Sequence, residues 1–145
     1  MILSESTDIL EADGEVESES NEPLAPRYAS PHFRWAEFAC NHCGELLEQG
    51  IHPKLIEVLE AVREHFGKPT VINSGYRCPV HNKNVGGARY SQHLYGRAAD
   101  ISVSGVAPFV VHEWLSRYRG NLGGLGHYAT FTHVDVGPNG RRWRG

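Results

Sequence analysis

From Pro53 to Phe66 apolar residues recur at three- and four-residue steps. Leu55, Ile56, Leu59, Val62 and Phe66 make one stripe, which predicts an amphipathic helix. Pro53 suits its first turn and Gly67 its C-terminal stop. Thr70-Val71-Ile72-Asn73 then reads as a short strand. Glycines crowd the next stretch (Gly75, Gly86, Gly87, Gly96), which marks it as loop, the usual place for a site. Ala98 to Val103 alternates: Ala99, Ile101 and Val103 face one way, Ala98, Asp100 and Ser102 the other. Pro108 to Tyr118 predicts a second helix with Phe109, Val110, Trp114 and Leu115 as its packing face, and Gly120 to Gly126 breaks it. Phe131 to Val136 is a further strand, with Thr132, Val134 and Val136 on one face and Phe131, His133 and Asp135 on the other. Two helices among short strands predict an α+β fold: a single small domain with a mainly antiparallel sheet flanked by helices.

Charge divides the chain. Residues 1–30 hold eight acids and one base, whereas residues 31–145 hold nine acids, thirteen bases and all nine histidines. The segment from Glu5 to Glu22 is rich in Ser and Glu and poor in aromatic and β-branched residues, so it cannot offset its chain entropy by burial. Residues 1–30 therefore read as a disordered acidic tail and 31–145 as the domain, with order expected from about Phe33. No run of about 18 apolar residues occurs, so no membrane span is expected. The N-terminus lacks the basic and apolar regions of a secretory leader. The basic excess is scattered, which argues against nucleic acid as a partner. Its one cluster, Arg141-Arg142-Trp143-Arg144, reads as a solvated tail.

His93, Asp100 and His133 are candidate metal ligands. Two imidazoles, a carboxylate and an open position form a typical catalytic zinc set. If the two strands are neighbours, Asp100 and His133 converge while Ile101 and Val134 enter the core. A polar side chain in an apolar strand needs a partner, and a metal supplies one. Cys40-Asn41-His42-Cys43 is a C-x-x-C. With Cys78 and His81 it fits a structural zinc site; a disulfide from Cys78 to Cys40 or Cys43, or plain buried thiols, fit equally. Trp35, Phe38, Trp114 and Tyr118 read as core.

The segment Ser91-x-His93-x-x-Gly96-x-Ala98-x-Asp100 resembles the zinc-ligand motif of the M15 D-alanyl-D-alanine carboxypeptidases. Phe131-Thr132-His133-Val134-Asp135-Val136-Gly137 is similar to their second ligand motif, and Ser74-Gly75-Tyr76-Arg77 to their SGYR signature. The resemblance covers about residues 33–137. It implies the small α+β fold shared with the hedgehog signalling domain, a zinc ion, and peptidoglycan stem peptides or cross-links as substrate. Zinc would lower the pKa of its water to about 7 and polarise the scissile carbonyl.

Arg77 could then meet a substrate carboxylate bidentately, and Ser91 could hold substrate or cap its loop. Many relatives carry an acid three residues before the last histidine, where this chain has Thr130. Two residues are candidates to replace it. Asp135 could accept a proton or orient a ligand histidine; His127 could act as acid or base or stabilise an oxyanion. The expected activity is that of a zinc metallopeptidase, carboxypeptidase or endopeptidase, working as a monomer. The missing acid keeps open a second reading, a non-catalytic cell-wall binding module of the same fold. A wall-acting enzyme without a leader fits a phage or viral setting.

Overall fold

The computed structural model describes residues 27–145. The acidic stretch 1–26 lies outside the described residues. Order starts earlier than Phe33: β1 (Tyr28–Ser30) pairs antiparallel with β2 (Phe33–Arg34). Glu60 is the reason. Its carboxylate accepts from the Ser30 hydroxyl at 2.5 Å and from the His32 amide at 2.9 Å, so the ribbon is pinned to the domain.

After a 3-10 turn at Trp35–Phe38 comes α1 (Pro53–Phe66), bounded as its apolar stripe predicts. His52 caps it by accepting from the Lys54 amide, and Gly67 ends it at φ 62°, a left-handed conformation that glycine adopts without strain. β3 (Thr70–Ser74) leads to the short α2 (Pro79–Asn84), and a 3-10 turn at Gln92–Tyr95 leads into β4 (Ala98–Val103). α3 (Pro108–Arg119), β5 (Gly124–His127), β6 (Thr132–Asp135) and β7 (Arg141–Arg144) complete the chain.

Five strands form one mixed sheet in the order β3-β4-β6-β5-β7. The β3–β4, β4–β6 and β6–β5 pairings are antiparallel; β5–β7 is parallel. Ala99, Ile101 and Val103 of β4, Leu125 of β5 and Val134 of β6 enter one core with α1 and α3. Strand alternation sends Asp100 and His133 to the opposite face. Thus α1 and α3 cover one face of the sheet, and the other is free to carry chemistry. Among the described residues no helix is long and apolar enough to cross a membrane.

Three local expectations change. The buried face of α3 is Val111, Leu115 and Arg119, whereas Phe109 and Val110 are exposed. Of the four aromatics read as core, Phe38 is buried and Trp35 and Trp114 are partly buried, but Tyr118 is 48% exposed and stacks on Trp114. Residues 141–144 are not a solvated tail. They form the strand β7, in which Arg141 and Trp143 are half-buried and Arg142 and Arg144 exposed.

Candidate metal centre and cleft

The centre is built on a row that crosses the sheet. Ser74 pairs with Asp100, Asp100 with His133, His133 with Gly126, and Gly126 with Trp143. Cross-strand partners on one face start about 4.5–5.5 Å apart, so register alone brings Asp100 and His133 together. His93 arrives from the 3-10 turn before β4. Ser91 caps that turn by accepting the His93 amide at 3.2 Å, and Gly96 ends it at φ 68°. One ligand atom from each of His93, Asp100 and His133 lies within 4.8 Å of the others, and all three side chains are buried.

The hydrogen bonding around His93 suits a cation. His93 Nδ1 lies 2.7 Å from the Gly75 carbonyl, which can only accept, so Nδ1 carries a proton and the neutral ring would have its lone pair on Nε2. That Nε2 is buried and makes no hydrogen bond, although Asp100 Oδ1 is 3.3 Å away. An orphaned buried acceptor is costly unless something fills it, and a metal ion does so. His133 Nδ1 is 2.9 Å from Asp100 Oδ1, and its Nε2 is 2.7 Å from Asp135 Oδ2. Burial alone would raise the Asp100 pKa, but the His133 imidazole at 2.9 Å outweighs it and holds Asp100 well below the usual carboxylate range. Burial alone would lower the His133 pKa; Asp100 and Asp135 on either side raise it instead.

A second row lies behind the first on the same face: Ala98, Asp135, Gly124 and Arg141. Asp135 is 1% exposed. Its Oδ1 accepts from the amides of Gly124 at 3.0 Å and Gly137 at 2.9 Å and from the Arg141 guanidinium, and its Oδ2 is committed to His133. The glycines of β5 make this possible. A Cβ at Gly124 would stand 2.4 Å from Asp135 Oδ2, and one at Gly126 would stand 2.5 Å from Trp143 Nε1.

A cleft of about 410 Å³ opens over the centre. Arg77, Ser91, Tyr128, Phe131 and Trp143 line it together with His93, Asp100 and His133. Arg77 donates to Asp100 Oδ2 at 3.1 Å, Asn82 Oδ1 at 3.3 Å and Ser74 Oγ at 3.3 Å. Those bonds use three of its five N–H groups, so two remain. Trp143 packs 4.9 Å from the His133 ring and donates Nε1–H to the Tyr128 hydroxyl at 2.8 Å.

His127 is not in the cleft. It lies next to Gly126 on β5, so strand alternation turns it to the helix-covered face, where it meets Phe109 and His112 of α3. The structure therefore does not bring it together with His93, Asp100 and His133. Asp135 does not line the cleft either; its Oδ2 lies 2.7 Å from His133 Nε2, behind the ring. Thr130 sits in the exposed β5–β6 turn, where its carbonyl accepts from Ser102. Trp143, Tyr128, Arg141 and the Gly75 carbonyl went unread in the sequence. Only the alternation through Arg141-Arg142-Trp143-Arg144 signalled any of them.

A His/Asp/His set that could hold a metal ion thus lies on a small α+β sheet beneath a cleft lined by an arginine. Comparison with known proteins gives the chain a family. The Peptidase M15 family model matches residues 31–135, and the chain belongs to that family. It is 38% identical over 89 residues to the zinc D-Ala-D-Ala carboxypeptidase of Streptomyces albus G, covering 59% of this chain and 34% of that protein. It is 32% identical over 104 residues to the peptidoglycan L,D-endopeptidase MepK of Escherichia coli K12, covering 66% of this chain and 56% of that protein. The chain thus spans about a third to just over half of the length of these relatives.

Proposed function

We propose that this protein is a zinc metallopeptidase that hydrolyses peptide bonds in peptidoglycan stem peptides or cross-links, on the small α+β fold shared with the hedgehog signalling domain. The observation that carries the reading is His93 Nε2, buried without a hydrogen bond beside Asp100 and His133. His93, Asp100 and His133 hold the ion; bound there, zinc supplies Lewis acidity and an activated water at neutral pH.

The chain's own residues do the rest. Asp135 accepts His133 Nε2–H and so presents Nδ1 toward the cleft. The Gly75 carbonyl does the same for His93 through its Nδ1–H. Arg77 steadies Asp100 and offers its two remaining N–H groups to a substrate carboxylate, the end group of a stem peptide. Ser91 caps the His93 turn, and its hydroxyl hydrogen remains available to substrate. The Tyr128 oxygen accepts from Trp143, so its own O–H is free to donate to an oxygen that gains charge in the transition state. The similarity to one carboxypeptidase and to L,D-endopeptidases supports the reaction class and leaves the bond open.

One observation favours a second reading. Among the described residues that line the cleft, Asp100 is the one carboxylate, so no separate carboxylate base stands beside the centre. A binding module that keeps the fold and the ion without hydrolysis would look like this. Digestion of purified sacculi separates the two. Wild type should release soluble peptide fragments and His93→Ala should release none; sacculus binding without release by either protein would select the binding module.

A further inference from the structure

The three cysteines take no part in the cleft, yet the fold gathers them at one point. Cys40 and Cys43 bracket a tight turn closed by Gly44, which has φ 75° and whose amide donates to the Cys40 carbonyl at 2.8 Å. The His42 and Cys78 amides both donate to Cys40 Sγ at 3.4 Å. Cys78 opens α2 and repeats the device: the His81 amide donates to Cys78 Sγ at 3.4 Å. The sulfurs of Cys40, Cys43 and Cys78 lie within 4.8 Å of one another. Beside them the rings of His42 and His81 stack at 6.0 Å, and His42 Nδ1 lies 3.8 Å from Cys78 Sγ.

Amides aimed at sulfur favour thiolate, the form that binds metal. The sequence supplies two matching halves, Cys40-x-x-Cys43 and Cys78-x-x-His81. A disulfide would consume two sulfurs and leave the third over. Tetrahedral zinc with Zn–S of about 2.3 Å needs sulfurs about 3.8 Å apart, and it uses all three. We propose that Cys40, Cys43 and Cys78, completed by an imidazole of the stacked His42–His81 pair, form a structural zinc site separate from the His93/Asp100/His133 centre.

The site's place in the chain says what it steadies. Arg77 immediately precedes Cys78, and Gly75, whose carbonyl fixes His93, is two residues further back. The Tyr76 amide already donates to the Phe38 carbonyl at 2.8 Å. An ion on the cysteines clamps the loop after Phe38 to the segment that delivers Gly75 and Arg77 to the cleft. It is a buttress and contributes no reacting group.

The test is zinc stoichiometry on the full chain, produced with ample zinc and purified under reducing conditions. Wild type should carry two zinc ions, and the His93→Ala/His133→Ala variant one. Titration of that variant with a mercurial thiol reagent should release its zinc. Its cobalt-substituted form should show intense thiolate-to-cobalt charge-transfer absorption, lost in a further Cys43→Ser change; Cys43 is exposed, so this change spares the core. No zinc in the His93→Ala/His133→Ala variant would overturn the proposal. So would a cobalt spectrum without thiolate bands, or an intact mass lower by two hydrogens that marks a disulfide. The proposal is independent of the peptidase reading: wild type that released nothing from sacculi would still carry the cysteine-bound zinc and its thiolate signature, and failure of the cleft centre alone would leave one zinc with that signature.

Discussion

Asp135 shows how much one buried carboxylate can organise. Burial alone would raise its pKa. The His133 imidazole, then Arg141 and the Gly137 amide, reverse that and hold it at about 2. An unfolded aspartate titrates near about 4. Between those values the unfolded chain binds the extra proton, so folding stability rises with pH across this window. The contribution is present above about pH 4 and is lost as pH falls toward 2. Asp135→Asn removes the titration. In urea unfolding with a chelator present, the variant should be less stable than wild type at neutral pH and should lose less stability between pH 4 and pH 2. An unchanged acid dependence would mean that Asp135 is not tied to His133 as described. The same residue scale explains His127: one step along β5 from the row of His133, it is turned to the opposite face.

At the scale of elements, α3 and β5 are where hydropathy misleads. Apolar residues wrap most of α3, so more than one helical stripe satisfies the period. Packing against β4, β5 and β6 selects Val111 and Leu115 over Phe109 and Val110 for the core. Leu115→Ala should therefore cost about 2–5 kcal/mol in chemical denaturation, and Phe109→Ala within about 1 kcal/mol. Gly120 to Gly126 reads as a helix break because glycine is disfavoured in helices, yet Gly124–His127 is β5. It forms a strand because its neighbours need the space. With no Cβ at 124 or 126, Arg141 and Trp143 of β7 reach across β5 to Asp135 and His133. A Cβ at Gly126 would force Trp143 aside, so Gly126→Ala should weaken zinc binding and lower turnover while far-ultraviolet circular dichroism stays near wild type. Unchanged zinc affinity would show that Trp143 does not support His133.

For the whole molecule, the cleft centre is a point where one ligand from a turn and two from adjacent strands must meet. An ion bound to all three favours the folded state and not the unfolded chain. Zinc about a thousandfold above its dissociation constant should therefore add about 4 kcal/mol to stability. Removing metal should abolish sacculus digestion and lower Tm, and added zinc should restore both. His93→Ala should show a smaller zinc-dependent rise in Tm than wild type. An equal rise in the two proteins would place the stabilising ion elsewhere, on the cysteines.

The sequence by itself determined the α+β class, α1 with both its ends, the alternation of β4 and β6, and the three metal-ligand candidates. These are legible because each rests on a local period or a short motif: an apolar stripe at helical spacing, or a polar residue on the strand face opposite its core-facing apolar positions. Tertiary structure alone decided that β7 joins the sheet in parallel beside β5, and that Arg141 and Trp143 therefore stand behind Asp135 and His133. It also decided that Asp135 is sealed from the cleft while His127 faces α3, and that Cys78 meets Cys40 across 38 residues. Each of these depends on which strand or loop lies next to which. Neighbours in a sheet are selected by the total packing of the chain, so a window of sequence holds no record of them.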